Sequence, residues 1–175
     1  MALGTIGLSR NGFGSTSRLP ELAIIIGRRG KYIAEDEAYA YIAGYTIAND
    51  VSARDLQFRT SQWTTGKMLD TFCPLGPALV TRDEVPDAHT LAIKTSLNGR
   101  VLQDGNTADM IFRVPFIVSY ISEIVTLEPG DVILTGTPPG IGNTRSPQVF
   151  MKPGDTIEVE IGHLGKLTNP VEAET

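Results

Sequence analysis

A mainly β domain is what this sequence predicts, and three observations lead there. Apolar residues fall in many short runs of strand length, several of them alternating with polar residues, and only two segments carry helical spacing. Proline and glycine punctuate those runs, most clearly at Pro129-Gly130-Asp131 and Pro153-Gly154-Asp155. Asn98-Gly99 sits between two alternating runs, the dipeptide that a tight two-residue hairpin demands. At 175 residues the chain suits one domain with a real core, because a chain of this size buries roughly two-thirds of its unfolded surface.

Taken in order, residues 1–18 are rich in glycine and serine, hold no sustained period and are expected to form an irregular N-terminal arm, poorly ordered or an irregular edge, with a single domain over 19–175. Leu22 to Gly27 is a continuous isoleucine-rich run and reads as a buried strand. Arg28 to Lys31 make a basic turn. Tyr32 to Tyr41 place Glu35, Asp36 and Glu37 at the favourable start of a short helix. Tyr45 to Ala48 form the next strand, and Ser52 to Gln57 have room for one helical turn. Pro74 to Pro77 are expected to turn and Ala78 to Thr81 to form a short strand. Leu91 to Leu97 and Arg100 to Gln103 are the hairpin arms. Ile111 to Val125 bring Ile117, Ile121, Ile124 and Val125 to one side of an amphipathic helix. The two Pro-Gly-Asp turns lead into strands over 132–135 and 156–161, and a turn at 162–165 precedes a last strand over 166–171.

The net charge of −5 argues against nonspecific nucleic-acid binding, which needs a basic face. No apolar run approaches the roughly 18 residues of a membrane helix. Cys73, the single cysteine, has no internal disulfide partner and reads as a buried core thiol in a reducing, cytoplasmic compartment. The start of the chain, with Arg10, Arg18, several serines and no acid before Glu21, keeps a mitochondrial address as the alternative. His89 and His163 lie in turn-like surroundings and read as surface residues.

The plausible chemistry concentrates between Gly44 and Lys67, where a β-branched strand runs into Asn49, Asp50, Arg54, Asp55, Gln57 and Lys67. Strand alternation lets Asp50 face a pocket while its neighbours pack. Arg54 offers a planar fork suited to a carboxylate, and Lys67 a compact charge suited to a developing oxyanion. The plain alternative is a surface ion-pair network of these cations with Asp55 and Asp70. Gly136 to Gly142, GTPPGIG, supplies glycines that let amides approach a ligand, and lacks the ending of a phosphate-binding loop.

NDVSARDLQ at 49–57, Gly66-Lys67, DTFCPLGPALVT at 70–81, PGDVILTGTPPGIG at 129–142 and KPGDTIEVEI at 152–161 together resemble the fumarylacetoacetate hydrolase family, closest to its small members acting on 2-oxo acids. The resemblance runs from about Glu21 to the C-terminus. It implies a rolled, distorted β-sandwich that associates as a homodimer, and a divalent metal, Mg2+ or Mn2+ with Ca2+ as a crystal substitute, held by a Glu-x-Glu pair and an Asp. Asp50 matches the Asp and Glu21 the second glutamate, whereas Leu19 stands at the first, and an aliphatic side chain coordinates nothing. By the same resemblance Arg54 and Lys67 are catalytic, and Gln57, Thr137 and Gly136 bind substrate. The implied activity is on small 2-oxo dicarboxylic acids through a metal-stabilised enolate, ending in tautomerisation, decarboxylation or C–C hydrolysis. The His and Glu of the family's upstream lid helix have no match before Glu21. The alternative is therefore an impaired member that keeps the fold and only binds metal or 2-oxo acid, or dimerises.

Overall fold

The computed structural model describes residues 4–8 and 14–174. Eleven strands are present among them: β1 (Ile6–Leu8), β2 (Thr16–Ser17), β3 (Pro20–Ile26), β4 (Ile42–Asn49), β5 (Ser52–Ala53), β6 (Leu75–Thr81), β7 (Ala92–Leu97), β8 (Arg100–Asn106), β9 (Val132–Leu134), β10 (Thr156–Ile161) and β11 (Gly165–Ala173). Helix α1 (Arg54–Gln57) is a single turn and α2 (Val114–Ile124) spans three; short 3-10 segments, including Glu35–Tyr41, fill the connections. The strands make one sheet in the order β6-β4-β3-β9, a second in the order β1-β11-β10-β7-β8, and a small ribbon of β2 and β5.

The two larger sheets close on one apolar core. Leu22, Ile24 and Ile26 of β3 alternate toward it, joined by Tyr45 and Ile47 of β4, Ile93 of β7, Val159 and Ile161 of β10 and Leu167 of β11. Inward alternation from both layers is the signature of a β-sandwich. Register shifts at Ile25/Ile26, Tyr45/Ile47 and Thr95/Ser96 bend the strands and give the sandwich its rolled, distorted form. A second cluster, with Ile6, Val51, Leu102, Met151, Ile157 and Val171, closes the other end. No helix of the described residues is long and apolar enough to cross a membrane.

The Asn98-Gly99 hairpin stands as expected, with both residues left-handed (φ +51° and +78°) and the Asn98 carboxamide bonded to Asp155 and the Thr156 amide. Residues 1–18 supply an edge, one of the two forms expected of them: β1 pairs parallel to β11 at the end of its sheet, β2 pairs with β5, and residues 1–3 and 9–13 lie outside the described ones. Three expectations are corrected. Strand β6 begins at Leu75, through the segment expected to turn, because β6 is the edge of its sheet and an edge tolerates the missing amide of Pro77. Helix α2 buries Val114, Val118 and Ser122, half-buries Ile117 and Ile121, and leaves Ile124 exposed with Val125 just beyond it. Phe112, Phe116 and Tyr120 stack outside it, at ring distances of 4.8 and 5.9 Å. His89 is buried, not on the surface: its Nε2 accepts the Val114 amide at 3.0 Å and fastens the start of α2 to the β7 side of the core. His163 is exposed as expected.

Candidate active site

Antiparallel pairing of β3 with β4 sets Glu21 opposite Ala48, so Asp50, one residue past the end of β4, lies beside it. The Asp50 amide donates to the Leu19 carbonyl at 2.9 Å, which ties the two strand ends together. Two carboxylates 29 positions apart in sequence are thereby brought to one place. Glu21 is buried at 6% exposure, and its Oε2 accepts the Gly136 amide at 2.6 Å. Burial first, and then the neighbouring Asp50 charge, push its carboxyl up to about 7, against the opposing pull of the Gly136 bond and of Lys67.

Lys67 closes the group from the other side. Its Nζ pairs with Asp50 Oδ2 and donates to Ser52 Oγ at 3.0 Å. The expected alternative, a surface network of Lys67 with Asp55 and Asp70, is not what forms. One ammonium faces two carboxylates, and it is bonded to the one with more exposure. Among the described residues, the buried Glu21 is bonded by a backbone amide alone.

Arg54 and Gln57 stand on the single turn of α1. The Arg54 guanidinium lies over the Phe58 ring, 5.1 Å from its centre, with Nε buried and making no hydrogen bond among the described residues. Burial lowers its pKa, and the Asp50 charge opposes that. Gln57 is sealed beneath the turn, its Oε1 buried without a partner among the described residues. Gly66 permits this: a Cβ there would stand 2.6 Å from Gln57 Cβ. Thr137 sits across the group on the turn after β9, where its Oγ1 receives a bond from Gln103 Nε2 at 3.2 Å. Gly136 adopts φ +95°, a left-handed conformation that turns its amide toward Glu21 and the next residue away.

The donor set limits what cation could sit here. Among the described residues no three His, Cys, Asp or Glu side chains converge, and Leu19 is buried at the place where a third carboxylate would have stood. Two carboxylates suit Mg2+ or Mn2+, hard ions that take one or two such ligands and fill their remaining positions with water and substrate oxygen. The uncompensated negative charge at Glu21 is the feature such an ion would relieve. It would have to share Asp50 with Lys67.

Three neighbours were not anticipated as site residues. Ser52, two positions after Asp50, holds Lys67; the i, i+2 spacing was a readable signal. Gln103, on β8, orients Thr137 and also bonds the Pro138 carbonyl at 2.8 Å, a pairing across 34 positions that left no trace in sequence. Cys73 is half-buried, not a core thiol, and lies close enough to Asp50 and Glu21 to feel both charges. Burial and those two charges push the thiol up, which disfavours the thiolate and any nucleophilic role.

The model of the fumarylacetoacetate (FAA) hydrolase C-terminal family matches residues 20–172. Among similar proteins, the mitochondrial oxaloacetate tautomerase FAHD2A of Homo sapiens is 54% identical over 153 residues, covering 86% of this chain and 49% of that protein. The fumarylacetoacetate hydrolase domain-containing protein 2 homolog of Dictyostelium discoideum is 47% identical over 163 residues, 87% of this chain and 53% of its own length. The solved fumarylacetoacetate hydrolase of Exiguobacterium antarcticum superposes with a TM-score of 0.92 at 40% identity, over 98% of this chain and 62% of that one. The 2-hydroxyhepta-2,4-diene-1,7-dioate isomerase of Mycobacterium marinum superposes at 0.88 with 42% identity, over 98% and 64%. The chain spans about half the length of the curated relatives it matches.

Proposed function

Since the chain belongs to the fumarylacetoacetate hydrolase family, we propose that it interconverts the enol and keto forms of a small 2-oxo acid. The observation that carries this is the charge group of Glu21, Asp50 and Lys67 behind the Gly136 amide, one short cation against two carboxylates in a mostly buried setting. Isomerisation is put ahead of decarboxylation and C–C hydrolysis because the Homo sapiens relative is named a tautomerase and the Mycobacterium marinum structure an isomerase, while the Exiguobacterium antarcticum structure, less identical at 40%, is named a hydrolase.

The residues divide the work as follows. Arg54 takes the substrate carboxylate through its fork, with Thr137 Oγ1 as the second donor. Lys67 Nζ, held in place by Asp50 and Ser52, sets positive charge beside the oxygen that becomes an enolate. Gln57 holds the turn of α1 that carries Arg54. Glu21 and Asp50 would hold a Mg2+ or Mn2+ ion, which when bound supplies polarisation of the 2-oxo oxygen. The group that carries the proton to and from C3 is not among these residues.

Leu19 supports a second reading, in which the chain binds metal or 2-oxo acid without efficient turnover. Enol-oxaloacetate absorbance decay, followed with and without Mg2+, separates the two. Under the first, enzyme-dependent decay falls at least tenfold in Lys67→Met; under the second, Mg2+ raises the melting temperature and decay stays at the uncatalysed rate. No melting shift at millimolar metal, together with no catalysis, removes both. A homodimer is our proposal for assembly, checked by light scattering at twice the chain mass. For compartment we propose mitochondria ahead of the cytoplasm, following the relatives' printed location, with organelle fractionation as the check.

A further inference from the structure

Helix α2 is apolar nearly all round, yet only one side of it is covered. Val114, Val118 and Ser122 pack inward. A helix with no polar side is one that other protein surrounds. On the opposite side Phe112, Phe116, Tyr120 and Ile124, four positions apart, form a slanted row about 18 Å long. The three rings are already stacked on one another at 4.8 and 5.9 Å, so the row is ordered before anything meets it. Ile111 extends it at one end and Val125 at the other, and exposure reaches 90% at Ile111, 65% at Ile124 and 54% at Tyr120. An apolar patch of this extent is uncommon on a chain that works alone. At the roughly 200 Å2 that a large apolar side chain can present, these exposed fractions give a face on the order of 600 Å2 per copy. Two such faces together bury about 1,200 Å2, where specific interfaces begin.

The spacing of the row says what covers it. Ile111 and Val125, Phe112 and Ile124, and Phe116 and Tyr120 are three pairs that all centre on position 118. A contact between identical copies requires that residue i meet residue j while j meets i. A second copy laid antiparallel, with the two-fold axis passing between Phe116 and Tyr120, satisfies that requirement at every pair. The charges share the same centre. Arg113 and Glu123 are both exposed, stand at opposite ends of the row, and enter no ion pair among the described residues. The antiparallel copy sets Arg113 against Glu123 of the partner subunit, and does so at both ends. Lys31, the cation next to Glu123, has its Nζ directed to the Glu123 carbonyl at 2.9 Å. We propose that the outer face of α2 is where two copies of this chain meet, antiparallel about a two-fold axis at the level of Val118. This rests on the homodimer proposed above, whose surface it names, and not on the catalytic reading, since Glu21, Asp50, Arg54 and Lys67 all lie outside α2.

The test is sedimentation velocity of the whole chain over a dilution series, native and substituted. The native chain is expected at twice the chain mass at micromolar concentration. Tyr120→Glu and Ile124→Glu, both at exposed positions, should keep the native circular dichroism spectrum and weaken dimerisation about a hundredfold, as when a central apolar contact is replaced by a carboxylate stripped of water. Arg113→Glu and Glu123→Arg should each weaken it about tenfold, because each reversal sets like charges together at both ends of the row. The double variant Arg113→Glu with Glu123→Arg should regain the native dissociation constant, a recovery that general damage to the fold could not give. A native dimer whose constant is unmoved by Tyr120→Glu and Ile124→Glu overturns this face and leaves the homodimer standing. Weakening by those two changes without recovery in the double charge variant overturns the antiparallel register. A native chain that stays monomeric overturns this proposal and the homodimer together, and leaves the row to a different protein.

Discussion

Replacing Glu21 by glutamine should change how the stability of this protein depends on pH, and the change can be sized from the site. The folded carboxyl titrates at about 7 against an ordinary 4.5. Between those values the folded chain binds a proton that the unfolded chain does not, so unfolding releases it and stability falls as pH rises. The loss is complete above pH 7, where an ionised carboxylate is buried beside Asp50. At 1.36 kcal/mol per pH unit the gap amounts to about 3 kcal/mol, or about 6–12 °C in melting temperature for a domain of this size. Glutamine keeps an acceptor for the Gly136 amide and carries no charge at any pH. Urea unfolding of both proteins from pH 4.5 to 8.5, without metal, should give curves that coincide at the acid end and diverge to about 3 kcal/mol in favour of Glu21→Gln at the basic end. A difference that stays constant across the range would refute the argument, because it would mean that Glu21 is not held above its ordinary value. The comparison of variant with native chain also removes contributions from other titrating groups, of which His89 runs the opposite way.

Lys67→Met removes the one cation of the charge group and leaves Asp50 and Glu21 facing each other. A loss of about 2 kcal/mol is expected at pH 8 in urea unfolding, shrinking toward pH 5 as Glu21 takes up its proton. His89 is held neutral below its ordinary pKa, by burial first and then by the Arg113 charge, against the pull of Asp87. A depressed base contributes stability that is present above about pH 6.5 and lost as pH falls through the folded value. Protonation also takes away the acceptor for the Val114 amide, so the β7–α2 junction should open first in acid. The protection of the Val114 amide, its exchange rate relative to the unfolded chain at the same pH, should fall as pH drops below the ordinary histidine range in the native chain and be low at every pH in His89→Ala, which should cost about 1 kcal/mol. Arg18 is fully buried, its Nε and Nη2 make no hydrogen bond among the described residues, and burial followed by the Arg145 charge lowers its pKa to about 10, with Asp155 opposing. Arg18→Met fills similar volume without a charge and should raise stability by about 2 kcal/mol; a loss instead would show that the Nη1 bond to the Val149 carbonyl outweighs desolvation.

Most of the fold was legible because its determinants are local. Alternation in 93–97 and 156–161, the left-handed pair Asn98-Gly99 and the Pro-Gly-Asp turns each specify their own backbone. What escaped was set by partners distant in sequence. Strand β1 is three residues long and exists only because Val171 to Ala173 lie alongside it. The burial of His89 depends on the start of α2, 25 positions on. Helix α2 misled because it is apolar nearly all round: Ile124 has helical spacing from Ile117 and Ile121 and still faces outward, since the 3-10 segment over 35–41 packs against the Val114, Val118 and Ser122 side, with the Ile33 amide bonded to Ser122 Oγ. At the site, residue types and the Asp50 neighbourhood were readable, and the resemblance supplied the rest. The pairing of Lys67 with Asp50 was not readable, because whether a lysine meets one acid or another within twenty residues is decided by the fold of the loop between them.

The same charge imbalance that costs stability gives the site its use, and the two can be tied by linkage. A buried Glu21 can be neutralised by a proton or by a divalent ion, and each excludes the other. If Mg2+ binds only the ionised carboxylate, its association constant must rise tenfold per pH unit up to about 7 and level off above, and saturating Mg2+ must erase the pH-dependent loss of stability predicted for the native chain. Both effects should vanish together in Glu21→Gln, whereas a cation held at exposed acids elsewhere would bind that variant equally well and show no break near pH 7. Affinity independent of pH, with the stability curve unmoved by metal, would leave Glu21 as a carboxyl that protonates and does nothing else. The case for a cation between Glu21 and Asp50 would then end, while the assignment to the family would be untouched.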